Sequence, residues 1–246
     1  MSRVRMFSAT LLSLVVAGSA SAYAQSSGGK QLPQAQGNQG KQLPQAAQVS
    51  PAEQRQRVQQ QQQRATQYQQ RLPQQVRAVQ QQTAQLQQQN RTAQYRVQQQ
   101  YTAQLQQQQK RLPTARNYSS DPYVSTPPSY RYTVAGATRQ TNQYGVNVLR
   151  QSVNYGYQEG LRSGQADRQD HWASNYQNSA AYRDANYGYT GDYIDQSDYN
   201  YYFRQGFQRG YQDGYNSQYQ YGTSSNGTYS ILSSVLSSIL GLQSIR

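Results

Sequence analysis

The sequence holds one histidine and no cysteine, so few groups are available for catalysis or soft-metal binding. A Ser, His, Asp relay could be written around His171, but no Gly-x-Ser-x-Gly elbow presents a nucleophile. A lone histidine beside Trp172 reads as a surface or packing residue. Asp192, Asp195 and Asp198 are three apart and could approach a calcium ion, yet they lack the glycine turn and terminal glutamate of a calcium loop. They read as loop and helix-cap carboxylates. Asn90, Asn117 and Asn226 open Asn-x-Ser/Thr triplets, which matter only in a eukaryotic secretory route. No phosphate-cradling glycine loop is present. The expected inventory is therefore no catalytic residue, no metal ligand and no cofactor, and an enzyme is the least favoured class.

Electrostatics offers more. The net charge is +13, and it is unevenly placed. Residues 25–120 carry 12 Lys or Arg against the single acid Glu53, whereas residues 121–246 carry 9 basic and 9 acidic side chains. The excess charge of the mature chain lies in its N-terminal arm, an asymmetry typical of an interaction segment. Arg77, Arg91 and Arg96, spaced among uncharged glutamines, are the candidate contacts to an extracytoplasmic polyanion.

Residues 1–24 have the layout of a secretory signal. Arg3 and Arg5 precede an apolar run from Met6 to Val16, and Ala20-Ser21-Ala22 and Ala22-Tyr23-Ala24 are both plausible cleavage sites, so the mature chain begins at Tyr23 or Gln25. The apolar run is about half the ~20 residues of a membrane span, and no mature segment reaches that length. The chain is thus expected to be exported to the periplasm, envelope or exterior. Residues 25–50 repeat Gly29–Ala35 at Gly40–Ala46 and read as flexible linker.

Residues 51–112 form a Gln-rich basic arm. Leu72, Val76, Val79, Thr83, Leu86, Asn90, Ala93 and Val97 follow one another by alternating steps of four and three, a heptad stripe. The steps become irregular through Tyr101, Leu105 and Leu112, as in a stutter. Pro73 should break or start a helix, which makes 74–109 the best segment. Residues 74–109 would then pair with a second copy or a protein partner; the competing reading is a disordered polar tract. Residues 113–142 read as a Ser/Pro/Tyr linker, with a short strand at Tyr130 to Val134 turning at Ala135-Gly136.

The most specific pattern lies in residues 143–220. Gly156, Gly160 and Gly164 are followed by Tyr157, Leu161 and Gln165; Gly206, Gly210 and Gly214 are followed by Phe207, Tyr211 and Tyr215. The copies are 50 residues apart and in register. Spacing of four places the glycines in one helical row and the large side chains in the next, so that two helices can dock ridge into groove. Six interior glycines cost about 5–6 kcal/mol of helix propensity, which only close packing can offset, at ~1.5–3 kcal/mol for each buried aromatic. An antiparallel hairpin is expected, with arms at 146–169 and 197–217 and Ser197 or Asp198 as N-cap. Trp172, Tyr176, Tyr182, Tyr187, Tyr189 and Tyr193 between them would cover one face.

Gln143-Tyr-Gly145, Gly156-Tyr-Gln-Glu-Gly160 and Phe203-Arg-Gln-Gly-Phe-Gln-Arg-Gly-Tyr-Gln-Asp-Gly-Tyr215 resemble a group of uncharacterised exported proteins of soil bacteria. The resemblance covers about the C-terminal half. It implies a bacterial envelope or extracellular setting and carries over no activity or site residues.

Residues 221–246 should form an amphipathic C-terminal helix, with Ile231, Leu232, Val235, Leu236, Ile239 and Leu240 on one side. It would dock on the hairpin, self-associate or lie on a membrane surface. The expected fold class is mainly α with extensive disorder: an antiparallel Gly/aromatic hairpin preceded by a Gln-rich segment that is coiled coil or disordered. Two functions remain. One is a non-enzymatic structural protein of the envelope whose basic arm binds polyanions or self-associates. The other is a periplasmic assembly or chaperone-like factor whose arm pairs with a protein through Val79, Leu86 and Val97.

Overall fold

Ser50-Pro51-Ala52-Glu53 is a helix-start signal: a serine cap, proline in the first turn and glutamate at the third position. The computed structural model describes residues 49–112, 116–225 and 228–245. The signal at 1–24 and most of the linker, to residue 48, lie outside them. Helix α1 (Pro51–Gln88) starts at this signal, with the Ser50 hydroxyl accepting from the Glu53 amide at 3.3 Å. It runs straight through Pro73. The expected break is corrected, and the reason is packing. Tyr68, Leu72, Val76 and Val79, on both sides of the proline, enter one buried cluster. At ~1.5–3 kcal/mol for each such side chain, their burial exceeds the ~3 kcal/mol of an interior proline.

The stripe does not continue as one helix. Asn90 takes a left-handed conformation, φ 57°, which asparagine tolerates better than most residues. The chain turns back there into α2 (Thr92–Arg111). Gln108 of α2 donates to the Tyr68 hydroxyl at 2.5 Å, which fixes α1 and α2 as antiparallel neighbours. Leu72, Val76, Val79, Leu86, Ala93, Tyr101 and Leu105 are buried, Val97 is half-buried and Asn90 is exposed.

After the single-turn α3 (Pro122–Ser125), strands β1 (Tyr130–Val134) and β2 (Ala137–Thr141) form an antiparallel hairpin. Its turn is at Ala135 and Gly136, both with positive φ, as a two-residue hairpin turn requires. Asn142 caps α4 (Gln143–Gln169). The chain returns through a 3₁₀ turn (Tyr176–Asn178) and α5 (Ala180–Asp184) to α6 (Gln196–Asn216). The flanking residue of α6 is Asp195, not Ser197 or Asp198.

Helices α4 and α6 run parallel, which corrects the antiparallel hairpin. Gly156, Gly160 and Gly164 face the backbone of Phe203, Phe207 and Tyr211, while Gly206, Gly210 and Gly214 face Val153, Tyr157 and Leu161. Both series ascend together. Each glycine of the first row meets the residue 47 positions later, and each of the second meets the residue 53 positions earlier. These offsets bracket the repeat of 50, so the duplicated motif packs about a local two-fold axis. The glycine Cα groups lie against partner carbonyl oxygens, in Cα–H···O fashion. The return is what permits parallel pairing: 26 residues separate the helices, whereas helix-bundle connections usually take about 2–8, and the chain must travel back about 40 Å, the length of α4.

The pair is covered on both sides. On one, α1, α2, α5 and the loop through Tyr189 bury Tyr199, Phe203, Phe207 and Tyr211. On the other, Tyr132, Ile231 and Leu240 pack on Leu149, Val153, Tyr157 and Tyr202. The C-terminal region is shorter in helix than expected. It forms a hairpin of β3 (Gly222–Ser225) and β4 (Thr228–Ile231), then α7 (Ser233–Leu240) and β5 (Gln243–Ser244), which adds to β1. Of the three readings for this region, the contacts of α7 with α4 and α6 give docking. Among the described residues no helix is long and apolar enough to cross a membrane.

Candidate binding surface and cavity

The glycine-row residues form the centre of the fold. Tyr157, Leu161, Phe207 and Tyr211 are buried, and Tyr215 is half-buried, its hydroxyl donating to the Trp172 carbonyl at 3.0 Å. Two of these tyrosines cross the helix pair: Tyr157 of α4 donates to Asp213 of α6 at 2.8 Å, and Tyr211 of α6 donates to Asp167 of α4 at 2.6 Å. Asp213 also accepts from the Gln220 amide at 2.9 Å, pinning the chain that leaves α6.

Asp167 receives a third group. Arg91, proposed above as a polyanion contact, is only 4 % exposed and ion-pairs with Asp167. Its guanidinium lies 4.5 Å from the centre of the Trp172 ring. That assignment is corrected: Arg91 is a structural clamp. Beside it, Asp170 accepts from the amides of Ala93 and Gln94 at 2.8 and 2.9 Å. These are orphan donors of the first turn of α2, so the end of α4 caps the start of α2 from across the fold. Arg77 and Arg96 are exposed, as a surface role requires.

The corrected position of the arm also removes its free seam. Val79 and Leu86 face the interior of the chain and Val97 is half-buried, so most of the apolar stripe of residues 74–109 packs within the chain.

His171 is exposed, with positive φ at the end of α4. The three spaced aspartates diverge. Asp192 takes Arg116 at 2.5 Å and Tyr118 at 3.0 Å, Asp195 takes Arg64 at 3.1 Å, and Asp198 takes Arg139 at 2.8 Å and Tyr132 at 2.9 Å. Among the described residues no cluster could hold a metal ion.

The remaining acids are occupied as well. Glu53 pairs with Arg57, Asp121 with Arg116 and the Tyr193 hydroxyl, Glu159 with Arg162, and Asp184 accepts from Tyr101 at 2.6 Å. All ten acidic side chains of the protein therefore hold the fold together. Burial raises the carboxyls of Glu159, Asp167, Asp184 and Asp198 above their ordinary range. On the outward faces of α1 and α2, by contrast, Arg55, Arg71, Arg77, Arg96, Lys110 and Arg111 are exposed and, among the described residues, form no ion pair. Sequence reasoning located this charge but not the acids that anchor it. Asp213 and Asp167 lie 56 and 44 positions from Tyr157 and Tyr211, the tyrosines that reach them, and no local periodicity marks them.

A cavity of about 630 Å³ opens between α1, α2 and the loop 187–192. Its walls carry the amides of Gln104, Gln107 and Gln108, the Arg116 and Asp192 pair, and the rings of Tyr118, Tyr155 and Tyr187. Gln108 is fixed, donating to the carbonyls of Asn186 and Tyr189 and accepting from the Gly188 amide at 2.7 Å. Gly188, at φ +86°, lets the loop lie on the Tyr155 ring, where a side chain would collide. No protein-family model, curated protein or solved structure matches this chain.

Proposed function

We propose that the chain is an exported, non-enzymatic structural and interaction protein of the bacterial envelope that binds an extracytoplasmic polyanion through the outward faces of α1 and α2. One observation carries this reading. Every acid is committed to an internal partner, while six arm cations are exposed and, among the described residues, form no ion pair. A polyanion meeting that face encounters guanidinium and ammonium groups set among glutamine amides. The glutamines add neutral hydrogen-bonding groups suited to a hydroxyl- or phosphate-bearing chain. Export rests on the signal-like residues 1–24.

The test is binding of a fluorescent polyuronate to the mature chain at several salt concentrations. Affinity should fall steeply with salt, and the slope of log K against log salt should shrink by roughly one for each contact cation removed. The variant combining Arg77→Glu and Arg96→Glu should bind much more weakly at low salt while melting like the parent. Absence of binding at low salt, or a slope unchanged in that variant, would sink the proposal.

A further inference from the structure

We infer that the cavity between α1, α2 and the loop 187–192 is a binding site for a neutral saccharide of two or three rings. Its volume, about 630 Å³, falls within the roughly 300–1,000 Å³ of pockets that enclose small organic ligands. Its lining is mixed: tyrosine rings, aliphatic stems, Ala65 and Leu112 leave somewhat more apolar than polar surface open, interleaved with amides and hydroxyls. Ala65 and Leu112 are the aliphatic side chains of a lining otherwise made of amides, hydroxyls, tyrosine rings and one ion pair. An apolar ligand would leave those polar groups unpaired, at about 1–3 kcal/mol for each buried one.

Charge narrows the class further. Arg116 is neutralised by Asp192 at 2.5 Å and Asp121 at 3.4 Å, and Asp192 is itself saturated by Tyr118 and Thr190. Arg111 at the rim is the one remaining charged lining residue. Apart from the exposed Arg111, the lining carries no uncompensated charge. What fits is a neutral molecule that both donates and accepts at adjacent positions. Vicinal sugar hydroxyls do so against glutamine amides, while the apolar face of a pyranose ring lies on tyrosine. Tyr155 and Tyr187 supply such a platform, with ring centres 4.9 Å apart.

One atom points to a ligand directly. The amide of Gln104 is hydrogen-bonded to Glu159, yet its Oε1 is buried without a partner. A buried acceptor left in this state costs free energy, and a hydroxyl in the cavity would satisfy it. Gln62, Thr66 and Gln107 line the same opening, and among the described residues their side chains make no hydrogen bond within the chain, so those groups are available to a ligand.

The test uses the mature chain in saturation-transfer NMR and titration calorimetry with a panel of neutral di- and trisaccharides. A glutamine-containing tripeptide and the polyuronate serve as comparators. At least one neutral sugar should bind saturably, with an affinity unchanged by salt, which separates this site from the basic outer face. The Gln62→Ala and Gln107→Ala double variant should bind it at least tenfold more weakly, and Thr66→Trp should block it; all three positions are exposed, so both variants should melt like the parent. No saturable sugar binding by the folded chain would overturn the assignment. So would sugar binding that persists in Thr66→Trp, or a preference for the tripeptide, which would make this a peptide site.

Discussion

Replacing Gly210 by alanine tests the helix pair through the sign of its effect. On an isolated helix the change would stabilise by about 1 kcal/mol. In this fold the new methyl carbon would lie 2.8 Å from the Tyr157 carbonyl carbon and 2.9 Å from the Leu161 nitrogen, and closer still to the Tyr157 carbonyl oxygen. These are backbone atoms of α4 and cannot rotate away, so the helices must part by about 1 Å. A gap of that size forfeits a quarter to a half of each contact of ~0.1–0.2 kcal/mol; over on the order of 100 atom pairs the loss is about 4–7 kcal/mol. Net destabilisation should be about 3–6 kcal/mol, or roughly 6–24 °C in melting temperature for a domain of this size. Thermal melts by circular dichroism at 222 nm provide the assay. Gln212→Ala, on the exposed face of the same helix, is the control and should stay within about 0.5 kcal/mol. A Gly210→Ala chain that melts at or above the parent temperature would refute parallel glycine-to-carbonyl packing.

Arg91→Met should destabilise by about 3–5 kcal/mol, because it strands a buried Asp167, yet leave low-salt polyanion binding intact at a temperature where the chain is folded; a loss of affinity in that folded state would return Arg91 to the binding surface. Pro73→Ala should raise the denaturation midpoint, by up to ~3 kcal/mol of stability; an unchanged or lower midpoint would show that proline is accommodated without cost. Glu159, Asp167, Asp184 and Asp198 have carboxyls raised by burial. They bind protons more readily when folded, so stability should rise as pH falls from neutral toward the unfolded value of about 4. At the other end, burial pushes Tyr193 and Tyr202 up to about 12 and Tyr101 and Tyr199 well above 10. That stabilisation is complete below about pH 10 and lost above it, so the buried phenols should ionise at 295 nm in one step with loss of helix; independent ionisation near pH 10 with helix retained would contradict the burial.

The glycine rows were legible because their period and their register are local properties of the chain. The direction of pairing was not, since ridges and grooves at spacing four fit either way. The evidence for it lay in the connector, where 26 residues are far more than an antiparallel turn needs. Of the hairpin at Tyr130 to Thr141, the alternating first strand and its Ala-Gly turn were visible, whereas the return strand Ala137–Thr141, almost wholly exposed, lay within a stretch that reads as linker. The break at Asn90 was hidden by the stripe itself: the steps of four and three continue through a residue that leaves the helix, because the apolar residues on either side serve two antiparallel helices facing one core. Pro73 misled in the other direction, since its local penalty is fixed while the gain from Tyr68, Leu72, Val76 and Val79 depends on partners more than 20 positions away. The cavity combines α1, α2 and a loop near residue 190, so no single window of sequence contains it.

The division of charge along the sequence suggests a basic arm and a neutral C-terminal half, but the contacts redistribute that picture. In the C-terminal half, Asp184 and Asp213 are held by tyrosine hydroxyls and backbone amides, and Asp167 by an arginine of the arm. Acids satisfied in this way do not hold the arginines of their own half. Arg131, Arg150 and Arg168 are accordingly exposed and, among the described residues, lack an ion pair. The tyrosine-rich composition and the basic surface are thus linked at Asp184 and Asp213, where phenols and amides stand in place of cations, while Asp121, Glu159, Asp167, Asp192 and Asp198 each keep an arginine. A polyanion long enough to pass beyond α1 and α2 would find further guanidinium groups on the α4 side. Removing Arg150 and Arg168 should therefore lower the salt dependence of binding for long polymers and leave that for short oligomers unchanged.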